Sequence, residues 1–351
     1  MHCVIHIGGM KTGTTSIQRC FDKKRDDILS RFGFWYPRAF VRPDEALHRD
    51  LSSPGTTESR AEGRIALRLE RRAAKQAGAK TAVFSTEFFQ LYNAERVAQL
   101  REFLGEFFQS FRIVYYARRQ DVLLASLHST EIRSSGRNTD TDPLSAYKRR
   151  GPAFFDHLHI CNTWAGAFGA ENVTARVFEK QKLAGNDVVT DFASVIGLPL
   201  PEKYWKDRFN QSVSLEVLST LIHLNGTAEK DNENLRHAII AGDWAIGDRD
   251  VPMIARRHAR RFVQGFAESN AKFFSRYVDP GHATEFASDF SRFEQSIPEI
   301  PVEAIEARIE KARAAVALKQ NSGMDTRASK REKRIARAIA TGSRTDPDSR
   351  W

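Results

Sequence analysis

Residues 3–17 read CVIHIGGMKTGTTSI. The apolar run at 4–7 has the length and β-branched content of a buried strand, Gly8, Gly9 and Gly13 punctuate a turn, and a helical pattern begins near Ile17. A strand, a glycine-rich turn and a helix start make an anion site, because unpaired backbone N–H groups and the positive end of the helix dipole face the same point. The spacing from Gly8 to Gly13 fits GxxxxGK[ST], but Thr14 stands where that motif needs lysine, which counts against hydrolysis of ATP or GTP. Lys11 offers an ammonium from inside the loop instead. Gly9, Lys11, Thr12, Gly13, Thr14, Thr15 and Ser16 are the candidate phosphate ligands. The plainer alternative is a tight turn with a Ser/Thr helix cap.

Outward from this stretch, β-rich runs at 3–7, 81–85, 112–117 and 172–178 alternate with longer helical patterns. That alternation predicts an α/β protein of three α/β/α layers around a mainly parallel sheet. Residues 32–78 form a long insertion that starts FGFWYP and ends in a charged helix over 61–76, and it is assigned to the second-substrate side of the cleft. Past Phe178, the runs VVTDFASVIGL, SLEVLSTLIHLN and FVQGFAESNAKFFSRY are helical and are expected to pack around the sheet. One catalytic domain over 1–317 and a basic, mobile tail over 318–351 is the resulting division.

The 351 residues carry a net charge of +10, which suits anionic ligands without naming one. Cys3, Cys20 and Cys161 are the only three cysteines, and their wide spacing suggests neither a disulfide framework nor a zinc site. The opening residues read as a strand with no signal-like leader, and no run approaches a membrane span; a cytoplasmic location is the expectation. The basic tail leaves peripheral contact with an acidic membrane open.

A second constellation lies at 118–126. Arg118 closes a strand and Ser126 follows two helical turns later, so a guanidinium and a hydroxyl could converge on a second phosphate. Taken singly, Arg118 also reads as a surface strand-end arginine and Ser126 as a helix-face hydroxyl. Arg119 is the weaker candidate by register, and Asp121 reads as a helix cap. Glu87 sits just past the strand at 81–85, at the strand end where α/β sites lie. His48, in EALHRDL, is the alternative base, or else a surface helix histidine. His6 reads as a packed strand residue, and Phe34, Trp35 and Tyr36 as core or lid packing.

Lys11, Gly13, Thr14 and Thr15 resemble the K-x-G-T-T loop of sulfotransferases that use 3′-phosphoadenosine 5′-phosphosulfate (PAPS). Arg118 and Ser126 match that family's arginine and serine eight residues apart. With Trp164, Phe168, Gly169, DFASVIGL, NQSVS and ESNAKFFSRY, the chain resembles the bacterial carbohydrate-type members over roughly residues 2 to 280. The resemblance implies PAPS as donor and no required metal. It further implies a hydroxyl or amine acceptor on a carbohydrate or glycolipid, no specific nucleic acid, a 5′-phosphosulfate loop, and Lys11 beside the bridging oxygen, with Glu87 or His48 as base. The late basic, glycine-rich donor segment of the cytosolic members is not evident. A P-loop kinase of a small metabolite, a nucleic-acid-binding protein and a non-catalytic nucleotide-binding homologue remain the alternatives.

Overall fold

The computed structural model describes residues 1–41, 45–52, 57–135, 138–201, 204–205, 213–229, 232–242 and 252–318. The expected tail beyond 318, and the segments NQS at 210–212 and DWAIGD at 243–248, lie outside the described residues.

Strands β1 (His2–His6), β2 (Phe34–Trp35), β3 (Thr81–Ser85), β4 (Ser110–Ala117) and β5 (Val173–Val177) form one sheet in the order β2-β3-β1-β4-β5. Every pairing is parallel. The four expected strands are present within two residues of their predicted ends. β2 is an addition, because two residues are too few to show periodicity. The FGFWYP segment therefore supplies an edge strand, and its Phe34, Trp35 and Tyr36 are buried.

Helices α1 (Thr14–Lys23), α2 (Arg25–Phe32), α3 (Arg49–Ser52) and α4 (Thr57–Gln76) lie between β1 and β3 in sequence. Then come α5 (Ala94–Gly105), α6 (Gln120–Ser135), α7 (Leu144–Arg150), α8 (His157–Phe168) and α9 (Val188–Ile196). The chain continues through α10 (Leu215–Asn225), α11 (Glu233–Ala241), α12 (Arg256–Gln264) and α13 (Ala267–Tyr277), and residues 302–318 are also helical. The FVQGFAESNAKFFSRY pattern is two helices, broken at Gly265 and Phe266.

Alternate strand residues bury opposite faces, as the period of two demands. Cys3, Ile5, Phe84, Ile113 and Tyr115 pack with α5, α8 and α13 through side chains such as Leu104, Trp164 and Phe273. Val4, Val83, Val114 and Tyr116 face the other way onto α1 and α9, against Ile17, Phe21 and Phe192. Covering both faces explains why these strands read as nearly continuous apolar runs, and the result is the three-layer α/β/α fold. Beyond α13, Val278 bridges Ala175 and the Nε2 of His282 accepts from Val177 N–H at 2.8 Å, which covers the edge of β5.

The chain divides into two compact units. The sheet and the candidate site belong to the first, drawn from Met1–His128, Asp142–Ser212 and Pro252–Ile297. The second takes Ser129–Thr141, Val213–Val251 and Pro298–Trp351, and so includes α10, which the periodicity had placed around the sheet. Within it, the Arg236 guanidinium donates to the carbonyls of Ile132 (2.9 Å) and Arg133 (2.8 Å), satisfying oxygens that the last turn of α6 leaves open. No helix among the described residues is long and apolar enough to cross a membrane.

Candidate active site

The connections leaving β1 and β4 run to opposite sides of the sheet. Their C-terminal ends are neighbours, at the switch point of the topology, which is where open α/β sheets place their ligands. The loop after β1 is drawn down onto the adjoining strand ends. Tyr116 N–H donates to Gly8 O at 3.0 Å. A Cβ on Gly9 would lie 1.9 Å from the carbonyl oxygen of Tyr116, and one on Gly8 2.6 Å from Glu87 Cα. Both glycines have positive φ, 86° and 77°, so only glycine fits on grounds of space and of conformation.

Lys11 shares that left-handed region at φ 65° although it is not glycine, an outlier of the kind that functional loops retain. Gly13, also left-handed, is the N-cap of α1; no side chain caps the helix and no acid lies in its first turn. Thr14, Thr15 and Ser16 occupy that first turn, with Thr15 and Ser16 half-buried and Thr14 buried. Ser16 N–H already closes on Gly13 O at 3.0 Å, so of this turn the N–H groups of Thr14 and Thr15, with the positive end of α1, are what can meet an anion. The Thr12 hydroxyl departs from the expected ligand set: it is buried and donates to Gly9 O, closing the loop on itself, which leaves only its main chain for a ligand.

Arg118 joins the two motifs. It is half-buried, its Nη1 donates to the carbonyl oxygen of Lys11 at 2.8 Å, and its guanidinium lies 5.8 Å from the Phe178 ring. Burial first, and then the positive charge of Arg292, push its pKa down to about 10. The Arg118 carbonyl accepts from His157 Nε2 (3.0 Å), whose Nδ1 meets the Tyr115 hydroxyl at 2.8 Å. Burial lowers the His157 pKa to about 4, so it acts as a neutral bridge holding the strand end in place. Ser126 is half-buried on α6, about 9 Å along the helix axis from Gln120 at a rise of about 1.5 Å per residue.

Arg119 has a different task. Its guanidinium grips both oxygens of the fully buried Asp121 at 2.8 and 2.9 Å, donates to the carbonyls of Ala287 and Asp289, and stacks 4.2 Å from the Phe290 ring. Asp121 also accepts from Val122 N–H, as a residue opening a helix should.

Glu87 opens a 3-10 turn, Glu87–Leu91, whose cap Thr86 accepts from Phe88 N–H. Its carboxylate is half-buried, and Oε2 accepts from Gln18 Nε2 of α1 at 2.9 Å. One residue of α1 therefore aims the carboxylate beside the loop that follows β1.

His48 lies elsewhere in chemical terms. It is 0% exposed, held 4.6 Å from the Tyr36 ring and 4.9 Å from Phe84. Its Nε2 meets Pro37 O at 3.1 Å, its Nδ1 accepts from Ser85 N–H at 3.1 Å, and its own N–H donates to Ser85 O. Because β2 pairs only with Thr81 and Ala82, the end of β3 needs another partner, and His48 supplies it. Burial lowers its pKa to about 3. With both ring nitrogens occupied and no exposed surface, His48 is a structural histidine, neither base nor surface residue. His6 is buried too, its Nδ1 at 2.7 Å from Ser85 Oγ.

No protein-family profile matches the chain. An uncharacterized protein of Archaeoglobus fulgidus is 25% identical over an alignment of 235 residues that covers 65% of this chain. The chain spans 62% of that relative's length. A crystal structure of a sulfotransferase from Alicyclobacillus acidocaldarius aligns at a TM-score of 0.33 and 15% identity, over 68% of this chain and 96% of the other.

Three residues that the sequence left unmarked support the site. Gln18 aims Glu87. Gln90, buried, accepts from Met10 N–H at 2.8 Å and donates to Phe154 O at 3.1 Å, fixing the loop. Arg292 sets its charge beside Arg118. A signal existed for Gln18: it falls among Thr14, Ile17 and Phe21 on the buried stripe of α1, where a polar side chain must have a partner. The other two carry no local signal.

Proposed function

We propose that this chain moves a sulfuryl group from PAPS to a hydroxyl or amine of a carbohydrate or glycoconjugate. The observation that carries the reading is the hydrogen bond from Arg118 to the carbonyl of Lys11, which brings together two anion-binding motifs more than a hundred residues apart, as a donor with separate 5′ and 3′ charges requires. The resemblance of both motifs to those of PAPS-dependent sulfotransferases supports it.

On this reading the loop N–H groups, Thr14, Thr15, Ser16 and the end of α1 hold the 5′-phosphosulfate, and Arg118 with Ser126 holds the 3′-phosphate. Glu87, oriented by Gln18, takes the acceptor proton. The acceptor oxygen then bonds to sulfur as the bond from sulfur to the bridging oxygen breaks, and the bisphosphate leaves. Lys11 stabilises charge gathering on that leaving oxygen. No step calls for a metal.

Calorimetric titration with 3′,5′-adenosine bisphosphate, run beside ATP with magnesium, tests the assignment. Tight binding of the bisphosphate that falls by about tenfold or more in Arg118→Ala is the expected result, since a charge-assisted hydrogen bond contributes about 1.5–3 kcal/mol. Preference for ATP would replace this reading with a metabolite kinase.

A further inference from the structure

Two short helices beside the phosphate loop concentrate positive charge. α7 ends in Lys148, Arg149 and Arg150, and α12 carries Arg257, Arg260 and Arg261; all six side chains are exposed. Positions 257, 260, 261 and 264 mark one side of α12, while Ala259 and Phe262 turn into apolar packing. Phe262 lies edge-on, 5.1 Å from Tyr147 of α7, so the rings join the two basic helices. Among the described residues, Lys148, Arg257 and Arg261 have no carboxylate partner.

This face is tied to the candidate active site by two routes. Met10 of the phosphate loop packs against the cluster that holds Tyr147 and Phe262. The Arg150 guanidinium lies 4.9 Å over the Phe154 ring, and Phe154 O is held by Gln90, which also holds Met10 N–H and stands three residues after Glu87. The charge of Lys148, Arg257 and Arg261, unneutralised among the described residues, repels itself and is complementary to a ligand of dense negative charge.

We propose that the α7–α12 face holds an anionic sugar chain, bearing carboxylates or sulfates, and presents one of its hydroxyls to Glu87; this rests on the sulfuryl-transfer reading of the neighbouring site. A sugar chain is favoured over single-stranded nucleic acid because the latter is gripped by stacking bases on open ring faces, and the half-buried rings of this face, Tyr147 and Phe262, are packed against each other and against Phe155. A second basic helix surface in this unit, around Arg68 and Arg72 on α4, is interleaved with exposed Ile65 and Leu69 and serves as a comparison.

The test titrates the full chain with alginate, neutral dextran and an oligothymidylate at several salt concentrations. It compares the wild type with R257E/R261E and with R68E/R72E, which change the net charge equally. The wild type should bind alginate and not dextran. R257E/R261E should weaken alginate binding by about tenfold or more and flatten its salt dependence, while R68E/R72E should shift it less than about twofold. Absence of alginate binding, an equal loss in both double variants, or tighter binding of the oligothymidylate would overturn the proposal. Affinity for 3′,5′-adenosine bisphosphate, measured on the same samples, should be unchanged in both variants. If the wild type does not bind it, the transfer reading fails, and the anionic face is judged on the alginate titration alone.

Discussion

The neighbouring ends of β1 and β4 are built in opposite ways. After β1 the main chain does the polar work: Gly8, Gly9, Lys11 and Gly13 all take positive φ, and the backbone lies against the ends of β3 and β4. After β4 the chain passes directly into α6, and side chains do the work, divided between two adjacent arginines. Arg119 is compensated by a buried carboxylate, two carbonyls and a ring. Arg118 has one carbonyl partner, a more distant ring in Phe178, a nearby like charge from Arg292, and no ion pair among the described residues. One arginine is consumed in making the strand end rigid, and the other keeps no carboxylate partner among the described residues, as the proposed nucleotide-binding role requires.

That contrast breaks if the two arginines behave alike. Arg119→Ala leaves the Asp121 carboxylate buried without its cation, so denaturant unfolding should show a loss of about 3–5 kcal/mol. Arg118→Ala should lower stability by less than about 1 kcal/mol. A larger stability loss at 118 than at 119 would reverse the assignment.

The β1 side is sharpened by Lys11. If the chain transfers a sulfuryl group as proposed, Lys11→Ala and Lys11→Gly should both slow release of the bisphosphate from the donor by about 10²–10³-fold, as loss of a transition-state donor does. In thermal melts the glycine variant should be the more stable of the two by about 1 kcal/mol, because alanine inherits the left-handed strain and glycine does not. Equal melting would mean that the loop relaxes once the lysine is gone.

The pH dependence is carried by buried histidines away from both arginines. Burial lowers His6 and His48 from 6.5 to about 3 and His157 to about 4. Below pH 6.5 the unfolded chain binds protons that the folded chain does not. The stability contributed by neutral burial is therefore complete above about 6.5 and is lost as the pH falls toward the folded values, by up to about 1.4 kcal/mol per pH unit for each histidine. Unfolding followed between pH 7 and 4 should show this slope, and His48→Gln should reduce it by one residue's share whatever its effect on stability at pH 7.

By itself, the sequence determined the elements whose conformation is local. The four longer strands, the loop from Gly8 to Gly13 and the helix behind it follow from apolar period and from the backbone freedom of glycine, both properties of a few consecutive residues. The placing of Lys11 and Arg118 at strand ends was legible for the same reason. What only the tertiary structure decided is which polar side chains are already engaged. His48 bonds to the end of β3 across 37 residues, Gln18 reaches Glu87 across 69, and Arg119 meets Ala287 and Asp289. β2 exists because Phe34 and Trp35 meet Thr81 and Ala82, not because two residues form a pattern. A side chain's period depends on its neighbours in the chain, but its charge state and its partners depend on what folding brings against it.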